Sequence, residues 1–296
     1  MTGALWLDPA LRCLRAPNPG PLTGPGTNTY IVGRGAVAVI DPGPQIESHL
    51  QAILAALGLG ETVARILVTH SHRDHSPLAA ALSQATGAPV CAFGDSLTGR
   101  SAVMERLAAD SALGGGEGVD PAFRPDITLP DGARIAVGAE QLQALWTPGH
   151  FGNHLCFLWR GHAFSGDHVM GWATTLVSPP DGDLTAFMDS LDRLEALAPQ
   201  RLFPGHGDPV EDGIPRIRAL RQHRLHRKAE ILKHMTQGPA TIASLTRAIY
   251  TDTPPHLHTA AARNVLAHLI DLTETGRVDA HPAPCADATF RLRKNS

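Results

Sequence analysis

Short apolar runs, each cut off by a turn containing glycine or proline, recur through the first two-thirds of the chain; the last third instead carries apolar residues at helical spacing. The first kind of pattern predicts buried strands and the second amphipathic helices. Tyr30-Ile31-Val32 and Ala36-Val37-Ala38-Val39-Ile40 flank Gly33-Arg34-Gly35, a hairpin signature within a strand-rich segment, residues 1–46. Between Pro17 and Asn28 the chain is dense in proline and glycine, which predicts an irregular loop. Helices are expected over residues 45–57 and 77–86, with a buried strand over 64–68 between them. After the break at Gly114-Gly115-Gly116, strands are expected over 142–146, 155–159, 163–164 and 201–203, and a helix over 184–197 stops before Pro199. Two strand-rich halves that each carry helices predict layers, with sheets inside and helices outside.

From Ile214 onward Ile217, Leu220, Leu225, Leu232 and Met235 keep a roughly helical period as far as Gly238-Pro239. Shorter helices over 242–250 and 259–275 follow, Gly276 serves as an end cap, and Arg277-Val278 with residues 289–292 suits a small hairpin. Three helices and a hairpin form a winged-helix pattern. The expected division is therefore residues 1–213 and 214–296.

The chain has 296 residues, 43% of them hydrophobic and 18% charged, with a net charge of −3. That is ordinary for a soluble globular protein and gives no global sign of nucleic acid or an anionic membrane as partner. Asp8, Arg12 and Arg15 interrupt any leader-like pattern, and no apolar run reaches the eighteen or so residues of a membrane span. The four cysteines (Cys13, Cys91, Cys156 and Cys285) show no paired spacing. Such usage fits a reducing cytoplasm, the expected location. Histidine is the outlier, with sixteen against two tyrosines.

Three of those histidines stand in Thr69-His70-Ser71-His72-Arg73-Asp74-His75, directly after the apolar Ile66-Leu67-Val68. Imidazole nitrogens suit zinc-like ions, and the aspartate adds a hard oxygen donor. Three further candidates each follow a strand and a tight glycine turn: His150 in Thr147-Pro148-Gly149-His150, Asp167 in Ser165-Gly166-Asp167, and His206 in Pro204-Gly205-His206-Gly207. Burying five imidazoles and two carboxylates without a cation would cost several kcal/mol, so a metal centre is the simpler reading.

H-x-H-x-D-H followed by His, Asp and His resembles the metallo-β-lactamase superfamily, whose α/β fold is a four-layer αββα sandwich with metals at one edge. The resemblance implies a first ion on His70, His72 and His150, a second on Asp74, His75 and His206, and Asp167 bridging them. Aspartate rather than cysteine at the bridging position resembles the hydrolase and nuclease branches. It implies two Zn2+, with Mn2+ or Fe2+ as alternatives, sharing a hydroxide whose parent water has a pKa lowered from about 15.7 towards 7. Asp74 is then both ligand and general base. His168, next to Asp167, reads either as a proton donor to the leaving group or as a packing residue. Asp41 is a candidate support for the ligands and equally a turn former before Pro42-Gly43. Asn28, His154 and Trp172 are candidates for contact with the ligands or substrate, each with a plain packing or turn role as the alternative.

Gly-Pro-Gly-Thr-Asn-Thr-Tyr at residues 24–30, Ser178-Pro179-Pro180-Asp181-Gly182-Asp183, and the basic helix after Pro-Gly-His-Gly are similar to the lactamase-β-like branch with a C-terminal winged helix. Animal members of that branch cut single-stranded RNA, so an endoribonuclease is one expectation. Phe151 departs from the threonine that relatives often place after the ligand histidine. Arg216, Arg218, Arg221, Arg224, Arg227, Lys228 and Lys233 form a cationic strip suited to phosphates, or simply a solvated face paired with acidic neighbours. The rival is a glyoxalase-II-like hydrolase of a small thioester or ester, which shares all seven ligands. A more remote alternative is a metal sensor that binds DNA through the winged helix. Duplex DNA is not an expected partner, because the candidate recognition helix offers chiefly Arg263. Self-association into a homo-oligomer stays open.

Overall fold

The computed structural model describes residues 3–109 and 113–293. Strands β1 (Leu5–Asp8), β2 (Leu11–Arg15), β3 (Asn28–Arg34) and β4 (Ala36–Ile40) run antiparallel in sequence order; β5 (Thr62–Leu67), β6 (Val90–Ala92) and β7 (Ile127–Thr128) continue the sheet in parallel. The second sheet is ordered β12-β11-β10-β9-β8, from β8 (Arg134–Val137), β9 (Glu140–Trp146), β10 (Leu155–Trp159), β11 (His162–Gly166) and β12 (Leu202–Pro204). Only its β11–β12 pair is parallel.

Alternation along the strands makes the layers. In β3, Tyr30 and Val32 face the second sheet and join Leu142, Phe157, Trp159 and Phe164 in the central core, while Ile31 points the other way. There it meets α1 (Glu47–Ala55) and α2 (Leu78–Thr86), through Leu50, Ile53, Leu78 and Leu82. The outer face of the second sheet buries Leu145, Cys156, Ala163 and Leu202 against α4 (Leu184–Ala196). The order is helix, sheet, sheet, helix: the αββα sandwich expected from the sequence.

The C-terminal part is a winged helix. It comprises α5 (Gly213–Met235), α6 (Ile242–Ile249), α7 (His258–Glu274) and a three-stranded sheet of β13 (Ala240–Thr241), β15 (Thr289–Leu292) and β14 (Val278–His281). Its core also takes in Met104 and Leu107 of α3 (Ala102–Ala108), an element the sequence pattern does not announce. Helix α5 serves both parts. Ile217 and Leu220 pack on the sandwich beside α4, whereas Ile231 and Met235 belong to the winged-helix core. Among the described residues, no helix is long and apolar enough to cross a membrane.

Candidate metal centre

Four strand ends deliver the candidate ligands to one edge of the sandwich. The His70–His75 turn follows β5, His150 follows β9, Asp167 follows β11, and His206 follows β12. Glycine is needed where these turns crowd. A Cβ on Gly149, whose φ is +142°, would lie 2.3 Å from the Phe187 backbone. One on Gly205 would lie 2.4 Å from Asp167 Oδ1 and 2.7 Å from His75 Cε1. The His206 turn therefore passes against the other ligands with no room for a side chain.

The seven residues converge. His72 Nδ1 lies 3.0 Å from His70 Nε2 and 3.1 Å from His150 Nε2. On the other side His75 Nε2 and His206 Nε2 are 3.3 Å apart, with Asp74 Oδ2 at 3.3 and 3.1 Å from them. Asp167 reaches both groups: its Oδ1 is 3.5 Å from His75 Nε2, and its Oδ2 is 3.3 Å from His206 Nε2 and 3.8 Å from His150 Nε2. Donors around a tetrahedral ion with bonds of about 2.0–2.1 Å sit roughly 3.3 Å apart, so this spacing fits a divalent cation. Among the described residues, His70/His72/His150, His70/His75/Asp167 and Asp74/His75/His206 are each compact enough to hold one.

The outer nitrogens show which way the lone pairs point. Thr69 Oγ1 donates to Asp41 Oδ2 at 2.7 Å, so the same oxygen accepts from His70 Nδ1 at 3.0 Å. His150 Nδ1 donates to the Leu176 carbonyl at 2.7 Å, and His75 Nδ1 to Asp41 Oδ2 at 2.9 Å. His206 Nδ1 donates to the Gly26 carbonyl at 3.3 Å. Each bond leaves Nε2 aimed inward as an acceptor. Lone pairs facing one another at about 3 Å repel unless a proton or a cation lies between them, and the buried Asp167 Oδ1 has no hydrogen-bond partner. The donor set fits a metal.

Electrostatics divide the cluster. Burial, reinforced by neighbouring imidazoles, pushes His70 well below the usual histidine range and His72 down to about 3, and burial also lowers His150. These three are neutral ligands at neutral pH. Burial would lower His75 and His206 as well, but Asp74 and Asp167 outweigh it. His75 is held well above its ordinary value and His206 at about 9. Both carboxylates lie well below the usual range, because His75 and His206 overcome the burial that would raise them.

The supporting candidates separate on inspection. Asp41 accepts from the Thr69 amide and hydroxyl and from His75 Nδ1, so it orients two ligands. Asn28 is buried and donates to the Pro204 and Gly207 carbonyls at 3.0 and 2.7 Å; it staples the His206 turn rather than lining the cleft. His154 is fully buried, its Nδ1 beside Thr147 Oγ1 at 2.9 Å, which rules out substrate contact. Of the two readings of His168, proton donor or packing residue, its surroundings favour the second. It is fully buried, its ring centroid 4.6 Å from that of Phe187, and neither ring nitrogen makes a well-formed hydrogen bond. Burial holds it neutral, down at about 3, and out of reach of a bound substrate, which favours packing behind Asp167 over proton donation. Trp172 is 46% exposed, with its indole against Gly24 and Gly207 at the rim. Phe151 is buried, its ring 4.8 Å from that of His72.

Other roles escaped the sequence reading. Thr27 Oγ1 lies 3.4 Å from Asp74 Oδ2. Asn153 holds the turn between the first two histidines by donating to Ser71 Oγ at 2.9 Å. Arg216 Nε donates to the Met170 carbonyl at 2.7 Å, and the buried Arg224 caps the Thr174 and Thr175 carbonyls. Both anchor the segment that links Asp167 to Leu176. Four more cations of the strip expected on α5 face acidic neighbours (Arg218 with Glu195, Arg221 with Asp192, Arg227 with Glu230 and Lys228 with Asp271), while Lys233 is exposed.

Sandwich, winged helix and a His/Asp cluster at one sheet edge define a class. The family described as the metallo-beta-lactamase superfamily matches residues 22–206, and the beta-lactamase associated winged helix domain matches residues 241–284. The chain belongs to the metallo-β-lactamase superfamily, as a hydrolase whose His/Asp cluster can hold divalent metal. It is 30% identical over 273 residues to a beta-lactamase-like protein 2 homolog of Drosophila melanogaster, covering 88% of this chain and 87% of that one. An atrochrysone carboxyl ACP thioesterase of Aspergillus fumigatus is 26% identical over 268 residues, 84% of this chain and 76% of that one. Among solved structures, a metallo-beta-lactamase family protein from Thermus thermophilus superposes with a TM-score of 0.77 at 27% identity, over 97% of this chain and 100% of that one.

Proposed function

We propose that this protein hydrolyses a small thioester or ester with two zinc ions held by the seven His and Asp ligands. One observation carries the choice over RNA: of the seven Lys and Arg side chains of α5, all but the exposed Lys233 are engaged by carbonyls or carboxylates of the protein. Arg216 and Arg224 hold backbone carbonyls, and Arg218, Arg221, Arg227 and Lys228 face carboxylates, so this helix offers little to a phosphate backbone. The thioesterase among its relatives supports the same reading.

Ions held there supply Lewis acidity and make water a nucleophile near neutral pH. The chain's own contribution begins with Asp74, whose side chain is 26% exposed where five of the other ligands are buried. Its Oδ2 lies 3.3 and 3.1 Å from His75 and His206 Nε2, so the carboxylate would be fixed by the ion those nitrogens hold, and it then orients the attacking water and takes its proton. With His168 withdrawn into packing, a leaving group that departs as an anion suits the centre. A thiolate, from a thiol of pKa about 8.5, does so far more readily than an alkoxide.

The test is thiol release from S-acyl thioesters by zinc-loaded protein, with labelled single-stranded RNA assayed in parallel. Thiol release that a chelator and Asp74→Ala both abolish is expected. RNA cleavage with untouched thioesters would overturn the reading.

A further inference from the structure

We infer that the acyl group of the substrate is apolar and enters a cavity built jointly by the sandwich and the winged helix; this rests on the thioester reading above. The cavity has a volume of about 410 Å3 and is walled by Leu22 and Thr23 of the early loop, Leu176, and Leu257 and Ala260 at the start of α7. That volume lies within the range of roughly 300–1,000 Å3 typical of small-molecule sites.

Three of the walls run on into segments that set a ligand. Leu176 gives its carbonyl to His150. From Thr23 the loop continues to Gly26, which accepts from His206, and Thr27, which meets Asp74. Glu117 of the wall leads to Val119, which bridges to His72. A group seated in the cavity is therefore attached to the same three segments that set the ligands.

Much of the polar lining is already engaged, the exposed His256 and Thr259 apart. Arg263 is its guanidinium, and it donates to Ser178 Oγ, the Leu113 carbonyl and the Pro179 carbonyl, with Glu117 at 3.8 Å. Each of its three nitrogens already donates within the protein and Glu117 lies beside its charge, which disfavours an anionic headgroup. The rim is apolar as well: Leu22 is 55% exposed, and the half-exposed Trp172 lies against Gly24, two residues further along. Hydrocarbon fits this lining and a phosphate does not.

The experiment measures kcat/KM for S-acyl cysteamines from acetyl to decanoyl, and the binding of octanamide, which is uncleavable. Each methylene is expected to raise kcat/KM about fourfold until the cavity is full. Ala260→Phe, which fills the cavity from α7, should collapse the decanoyl-to-acetyl ratio and weaken octanamide binding tenfold or more; Leu59→Ser, at a fully exposed leucine elsewhere, should change neither. A wild-type rate indifferent to chain length, or a ratio unchanged by Ala260→Phe, overturns the inference while leaving thioester hydrolysis intact. If no thioester is cleaved, octanamide decides: binding weakened by Ala260→Phe keeps the apolar cavity, and no binding removes it.

Discussion

His150 donates through Nδ1 to the Leu176 carbonyl at 2.7 Å, and that bond is the first link between a candidate ligand and the winged helix. The next residue, Val177, gives its amide to Asn264 Oδ1 at 3.0 Å; the same oxygen accepts from Arg224 at 3.0 Å, and Arg224 also caps Thr174 and Thr175. The backbone that aims His150 is thus held by side chains of α5 and α7. A winged helix here has structural work to do without any nucleic acid.

That relay predicts a coupling. Asn264→Ala removes the acceptor shared by Val177 and Arg224 and should cost about 1–3 kcal/mol in stability. Because the strap also aims His150, it should weaken metal retention as well, by roughly tenfold. Competition with a coloured chelator reads the metal and thermal melting reads the fold. A melting shift with unchanged metal affinity would show that the relay only stabilises.

Asp41 poses a cleaner case. It accepts from His75 Nδ1 and from both donors of Thr69, which in turn orients His70. Asp41→Asn keeps the shape and loses the charge. Metal affinity should fall about 10- to 100-fold, as it does when partners behind a ligand are changed elsewhere. Elemental analysis after dialysis against graded chelator checks it, with wild type expected to keep two ions per chain.

Proton release follows from the charge division. Without metal, Asp74 and Asp167 keep His206 protonated up to about pH 9 and raise His75 in the same direction. A ligand nitrogen must lose its proton to bind, so metal uptake below pH 9 releases protons. Apparent affinity should therefore rise with pH throughout the range below 9 and level off beyond it. The same shift stabilises the metal-free fold: the contribution is complete below pH 6.5 and disappears as pH climbs through 9. Calorimetry of zinc binding in two buffers of different ionisation enthalpy counts the protons. No proton uptake by the buffer at pH 7 would contradict this division.

Much of the centre was legible because each ligand sits in a short motif at a strand end: His70 to His75 after β5, and Gly-His or Gly-Asp turns after β9, β11 and β12. Strand ends in one sheet lie side by side, so such motifs converge once the sheets form. Direction was not legible. His168 and Asp167 are neighbours on one turn, yet one joins the cluster and the other packs on Phe187. Nor does spacing reveal partners far along the chain. Arg218 and Arg221 look like free cations on α5 until α4 brings Glu195 and Asp192 against them. The two-residue β7 is too short to carry a pattern, and α3 is claimed by a core that forms only when the C-terminal part docks.

Those two ion pairs also provide the sharpest contrast between the substrates. Arg218 and Arg221 are exposed at 65% and 40% of their side chains, so each pair is worth about 0–1 kcal/mol and replacement should leave the fold intact. If α5 carried a nucleic acid past the centre, Arg218→Glu with Arg221→Glu would weaken RNA binding steeply and flatten its salt dependence, since each lost phosphate contact reduces the slope by about one. If the helix merely braces α4, the double variant should keep thioester turnover within about twofold of wild type at low and moderate salt. We expect the second outcome. Steady-state kinetics at two ionic strengths, with single-stranded RNA binding followed by fluorescence anisotropy, separates the two.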